Sequence, residues 1–390
     1  MLIAPSEEKM WEHSPTKKLI YKMTDEQINA KYEGGEQRIL TEMNREKLPN
    51  FVEALKKPGY MDVRPFYQRR SRWDAKKQSR LIESFLINIP VPPIILYEKE
   101  YNSYEVMDGQ QRITALRDFY ENKLKLSGLQ LWPELEGRTY EQLPIKIKAG
   151  IDRRSISSIV LITESTSDPE EEFFLKRIAF ERLNTGGVDL SRQEVRNCLY
   201  YGQFNQLLLE LASNSIFANA WGIPIHNDAE LAQNNLYKKM EDAELVLRFF
   251  ALRHTEDFHK GMKDFLDIYM MKSLNFSEQD IEILRNIFIK SINIAYEIYS
   301  DKLFKPFDPS TETWEKKAYK DYYDAVMVGF SRYLADADII LRRKEKVVEQ
   351  TKTLFREDKS KLLTGGGKTK ADIQERIKLF DNMLSQVIAE

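Results

Sequence analysis

The chain has 390 residues, enough for a large buried core and more than one domain usually holds. Lysine plus arginine (59) nearly balances aspartate plus glutamate (61), which excludes a whole-molecule field that would draw the chain to nucleic acid or anionic lipid. The single cysteine, Cys198, and four scattered histidines exclude an internal disulfide and a multi-cysteine zinc site, and with no apolar run of membrane-spanning length the chain is expected in the cytoplasm, without a membrane partner.

Residues 1–45 are polar, with Gly34-Gly35 among them, and read as an irregular lead-in with room for one short strand. A short amphipathic helix around Asn50 to Lys56 is stopped by Pro58-Gly59, and Arg64-Pro65 forces extended backbone. Asp74 can cap a helix that carries Leu81, Ile82, Phe85 and Leu86 on one side and ends before Pro90. Ile94 to Tyr97 and Tyr104 to Met107 read as neighbouring strands, the second running straight into Asp108-Gly109. From Gln111 onward, Ile113, Leu116 and Tyr120 recur near helical spacing, so the order is strand, glycine turn, helix. Another strand is expected at Ser157 to Thr163. A helix starting at Asp168-Pro169 should end near Asn184-Thr185-Gly186-Gly187.

Ser191 and Glu194 have capping-box spacing, and helical periodicity then dominates around 229–253, 256–272, 278–303, 315–346 and 371–388. The fold class is therefore α+β: a lead-in over 1–45, a domain of short strands and helices over 46–190, and an all-helical domain over 191–390.

The strand, Asp-Gly turn and helix form a sound phosphate site, because glycine lets the backbone approach a ligand and a helix start offers N–H donors. Arg112 would add a cationic fork, Gln110 and Gln111 could orient a phosphate or a water, Thr114 could cap or bind, and Asp108 could hold magnesium. An ordinary Asp-Gly turn explains the same residues equally well. Between Arg64 and Trp73, Arg64, Arg69, Arg70 and Arg72 alternate with aromatics. That pattern suits phosphate or nucleic-acid contact, or a solvated basic edge with the aromatics packed inward. Arg182 to Gly187 reads as a C-cap. Gly366-Gly367-Lys368-Thr369 is not a Walker loop, because Leu362 stands where that motif needs glycine and no strand precedes it. His254 and His259 lack zinc-pair spacing and read as surface residues.

Taken in order, Phe66-Tyr67-Gln68-Arg69, Trp73, Leu81-Ile82-Glu83-Ser84, Ile89-Pro90-Val91-Pro92-Pro93, Asp108-Gly109-Gln110-Gln111-Arg112-Ile113-Thr114-Ala115-Leu116 and Arg182-Leu183-Asn184-Thr185-Gly186-Gly187 resemble the N-terminal domain of the GmrSD-type restriction family, over roughly residues 45–200. The resemblance implies a ParB and sulfiredoxin-like fold for 46–190 and a role in nucleotide handling within defence against phage DNA. Gly109 and Arg112 match both ParB proteins (Gly-Glu-Arg-Arg) and sulfiredoxins (Gly-Cys-His-Arg). Gln110 replaces the sulfiredoxin cysteine, so phosphate binding carries over and sulfur chemistry does not.

The implied activity is binding and hydrolysis of a nucleoside triphosphate with Mg2+. Asp108, Gln110, Gln111 and Arg112 would be catalytic, and Gly109, Arg112, Thr114, Arg69, Arg72, Arg182 and Asn184 would hold the nucleotide. DNA is an expected partner through Arg64, Arg69, Arg70 and Arg72. No HNH nuclease motif is legible, so cutting is expected to need a separately encoded nuclease. Two alternatives stand beside this: a DNA-binding module with a vestigial nucleotide site, and a ParB-like metal-dependent nuclease built on Asp108.

Overall fold

The computed structural model of the chain describes residues 2–12, 24–33, 40–63, 73–162, 175–180, 182, 191–258 and 261–390. The chain is α+β and divides into two compact units, Leu19–Leu190 and a second made of Met1–Lys18 with Ser191–Glu390.

The first unit is built on a five-stranded sheet of β1 (Leu40–Lys47), β2 (Met61–Asp62), β3 (Ile94–Glu100), β4 (Ser103–Asp108) and β5 (Ser155–Ile162), in the order β1-β5-β3-β4-β2. β1 pairs antiparallel with β5 and β3 with β4, whereas β3 with β5 and β2 with β4 are parallel. Alternation sends Leu96, Val106, Ile156 and Val160 to one face, where they join Phe51, Leu81, Ile82, Phe85, Ile113, Leu116 and Phe119 in a single core. Those partners come from helices Leu48–Ala54, Ala75–Leu86 and Gln110–Tyr120.

The helix Ala75–Leu86 starts as its sequence predicts, with Asp74 accepting a 2.8 Å bond from the Lys77 N–H. On the other face of the sheet, Lys176 donates to Glu105 at 2.7 Å and lies 4.2 Å from the Tyr97 ring centroid.

The polar stretch expected to be an irregular lead-in holds helices Pro5–Lys9 and Asp25–Glu33 and the eight-residue β1. The helix expected from Asp168 starts outside the described residues, and 175–180 are helical.

The second unit is helical apart from a two-residue ladder between Phe307–Asp308 and Thr313–Trp314. Its long helices are Glu241–Leu252, Glu278–Tyr299, Lys320–Arg332 and Lys370–Ala389, and the Ser191 capping box is present. His254, expected at the surface, is 8% exposed and lies 2.8 Å from the buried Glu7 carboxylate; His259 lies outside the described residues. Among the described residues, no helix is long and apolar enough to cross a membrane.

Candidate functional site

The glycine turn opens the helix Gln110–Tyr120 from the end of β4. Gly109 is the N-cap residue and has φ +96°, a conformation that residues with a Cβ rarely adopt. The space is also tight for a larger residue: a Cβ there would stand 3.0 Å from Arg112 Nη2 and 3.2 Å from Ile94 Cα. The strand is irregular just before the turn. Ile95 faces Asp108 while Leu96 faces Val106, so Met107 is an extra residue, a bulge that re-aims Asp108 at the helix.

Arg112 lies one turn into the helix and folds back over the N-cap. Its Nη2 donates to Asp108 Oδ2 at 2.8 Å and to the Pro93 carbonyl at 3.1 Å, and its side chain is 13% exposed. Arg112 Nε is buried with no hydrogen-bond partner among the described residues. The turn therefore joins a left-handed glycine, a helix start whose first N–H groups have no intrahelical acceptor, and a guanidinium held by one carboxylate and one carbonyl.

Gln111 ties this turn to the arginine-rich stretch. Its Oε1 accepts a 3.0 Å bond from the Trp73 N–H, at the point where the chain returns from residues 64–72. β2 runs parallel to β4, with Asp62 opposite Glu105. Arg64, Arg69, Arg70, Arg72 and Asn184 lie outside the described residues. Of the other expected site residues, Gln110 is buried at 5% exposure, Thr114 is half-buried, and Arg182 is exposed on its helix.

Two anchors that sequence reasoning missed hold the site helix and its neighbour. The Tyr120 hydroxyl, at the helix end, donates to Asp152 Oδ1 at 3.0 Å, and the Tyr140 hydroxyl donates to both oxygens of the same carboxylate. Burial and then the Asp152 bond push the Tyr140 phenol up to about 12, and burial beside Asp152 raises that of Tyr120 as well. Glu83, within the quoted Leu-Ile-Glu-Ser motif, accepts from the backbone N–H groups of Gln130, Leu131 and Trp132 at 2.7–3.1 Å. Burial works to raise its pKa, and these donors with Arg80 outweigh it, leaving the carboxyl below its ordinary range.

The Gly366-Gly367-Lys368-Thr369 loop is structural. Thr369 caps helix Lys370–Ala389 in a capping box with Asp372, Gly366 N–H donates to the Lys361 carbonyl at 2.7 Å, and Arg376 Nη2 donates to the Gly367 carbonyl at 2.8 Å. A Cβ on Gly366 would fall 2.5 Å from that Lys361 oxygen, which accounts for a glycine without a phosphate. Among the described residues, no group of three or more His, Cys, Asp and Glu could hold a metal ion.

A family model described as GmrSD restriction endonuclease, N-terminal domain, matches residues 50–201. Residues 50–201 are thus similar to the N-terminal domain of GmrSD-type restriction endonucleases. No curated protein and no solved structure matches the chain. The matched segment includes β2 to β5, the Gly109 turn, and the Trp73 and Glu83 anchors, while β1 precedes the matched residues.

Proposed function

We propose that the GmrSD-type domain binds and hydrolyses a nucleoside triphosphate through a ParB and sulfiredoxin-like use of the Gly109 turn, as the regulatory component of a bacterial restriction system against phage DNA. The observation that carries this reading is the left-handed Gly109 opening a helix beside the Arg112 guanidinium. In the proposed complex the first-turn N–H groups and Arg112 take phosphate oxygens, and Arg112 trades part of its bond to Asp108 for the ligand. In this reading Gln110 and the Gln111 amide nitrogen would order a water against the terminal phosphate, with Thr114 one turn behind. Arg69, Arg72, Arg182 and Asn184 complete the nucleotide contacts. A magnesium ion arriving with the triphosphate would neutralise phosphate charge, and Asp108 is the carboxylate at the turn that would hold it, with phosphate oxygens and water as its other ligands.

Calorimetric titration of each triphosphate into wild type and Arg112→Ala tests the reading. The substitution should weaken binding by more than a factor of ten, about 1.4 kcal/mol. Equal affinity of the two proteins, with helix content unchanged by circular dichroism, removes the nucleotide site.

A DNA role is favoured by a separate observation, the Trp73–Gln111 bond that fastens one end of the arginine-rich stretch to the same turn. In this proposal Arg64, Arg69, Arg70 and Arg72 contact DNA phosphate, and a separately encoded nuclease performs the cut.

A further inference from the structure

The core face of the sheet is not filled everywhere. A cavity of about 260 Å³ opens over it, lined from all five strands by residues that include Glu46, Met61, Leu96, Tyr104 and Ser158, with Tyr60 beside them; Arg45 also contributes to the lining, from the strand position between Asn44 and Glu46. Its floor is apolar: Leu96, Ile156 and Val160 are each 3% exposed or less. Tyr60 and Tyr104 form an aromatic wall, edge to face, with ring centroids 5.5 Å apart.

Glu46 lies opposite these rings. It shares the β1 face that carries Asn44, since Glu46 pairs with Ile156 and Asn44 with Ser158. Glu46 lines the same cavity as Tyr60 and Tyr104, and its charge acts through space on the Tyr60 hydroxyl. Glu46 is half-buried and accepts no hydrogen bond from any described residue. Burial raises its carboxyl above the ordinary range. The exposed Lys57 opposes that only through space, without an ion pair within 4.0 Å. A carboxylate partly withdrawn from water, beside an edge-to-face tyrosine pair and over an apolar floor, has no ion-pair partner among the described residues, and this setting suits a cation with an apolar body.

We infer that this cavity is a binding site for a small organic ammonium ion, with Glu46 as its counter-charge, Tyr60 and Tyr104 as its aromatic wall, and Asn44 and Ser158 as polar neighbours. The volume limits the ligand to one smaller than most pockets for drug-sized molecules hold, roughly 300–1,000 Å³. The site is separate from the glycine turn, because Tyr104 and Asp108 lie at opposite ends of β4, roughly 13 Å apart at strand rise. It also differs in sign: the turn offers a guanidinium and N–H donors to an anion, and this cavity offers a carboxylate to a cation.

Choline and its uncharged isostere 3,3-dimethylbutan-1-ol separate charge recognition from shape. Titrated calorimetrically into the full chain, choline should bind at least tenfold more tightly than the alcohol. Glu46→Gln, which keeps size and fold, should remove that preference, and Tyr104→Leu and Tyr60→Leu in separate chains should each weaken choline at least tenfold. Arg112→Ala should leave choline affinity unchanged, so that failure here is distinguishable from failure of the nucleotide reading. Equal binding of choline and the alcohol, choline binding that Glu46→Gln does not alter, or no saturation by either choline or n-butylammonium at millimolar concentration overturns the assignment.

Discussion

Gly109 is the residue on which the nucleotide reading turns, and its sequence already marked it as a turn glycine. What the sequence did not carry is why other residues are disfavoured there. The positive φ and the close approach of Arg112 Nη2 and Ile94 Cα act together, so Gly109→Ala should cost roughly 1–3 kcal/mol in urea unfolding and displace Arg112 from Asp108. A melt indistinguishable from wild type would show that the turn relaxes freely, and the pre-set geometry would lose its meaning. The pairing of Asp108 with Arg112 was within reach of sequence reasoning, since four residues across a helix start bring two side chains to one face. The bond from Trp73 to Gln111 was not, because it joins residues 38 apart and leaves no periodic trace in either segment. Gln111 was assigned a chemical role from its place in the motif; its oxygen is engaged in docking the chain, which makes it a positioning residue as well.

At the scale of elements, strands and helices with local signals were legible and their interruptions were not. β4 and the helix after it follow the predicted order, and Lys370–Ala389 nearly coincides with the periodic segment at 371–388. The segment at 315–346 reads as one helix but is divided into Lys320–Arg332, Ala337–Arg342 and the start of Lys344–Arg356. No proline or glycine stands at either break, so nothing in the residue types announces them. The helix Ala75–Leu86 shows the opposite case, a predicted element with an unforeseen task. Ser79 Oγ accepts from the Ser127 N–H at 2.9 Å and Glu83 holds three further N–H groups, so one helix face organises the loop 127–132. Glu83→Ala should destabilise the domain by roughly 1.5–3 kcal/mol, because buried donors lose a charged acceptor. Hydrogen exchange at Gln130, Leu131 and Trp132 should accelerate together, and Glu83→Gln should restore part of the protection. Unchanged exchange at those three amides would assign the motif glutamate to something other than the loop.

At the scale of the whole molecule, residues far apart in sequence close the helical unit. Glu7 is fully buried. Its carboxylate receives Arg253 Nη1 at 3.1 Å and the Tyr269 hydroxyl at 2.8 Å, with His254 Nε2 also at 2.8 Å, and Arg253 donates as well to the Leu2 carbonyl. Trp11 stacks on Phe265 with centroids 5.5 Å apart, and the Ser6 N–H donates to Asp280 at 3.1 Å. No sequence pattern reveals this clasp, because a glutamate in a short polar helix looks solvated until its partners, some 246 residues on, are folded around it.

Burial works to raise the Glu7 carboxyl, and Arg253, His254 and Tyr269 outweigh it, so its folded pKa lies below the ordinary value. Asp280 is likewise brought down to about 2 by Ser277 and Ser6 against burial. A depressed carboxylate contributes stability that is present above its unfolded pKa and lost as pH falls through the folded value. The helical unit should therefore hold full stability from these groups at neutral pH and lose it below about pH 4, where unfolded carboxyls take up protons. At pH 7, Glu7→Ala should cost roughly 3–5 kcal/mol, since Arg253 would be left as a buried charge without its partner. Changing both members, Glu7→Gln with Arg253→Met, should cost less than Glu7→Ala alone, because no unpaired charge remains buried. Denaturant melts of the full chain, followed by near-ultraviolet signal from Trp11 and Tyr269, read all three. A flat stability profile between pH 7 and pH 3 in wild type, or a double variant weaker than Glu7→Ala, would mean that this contact adds no stability through its charges and that the segment is held by Trp11 packing instead.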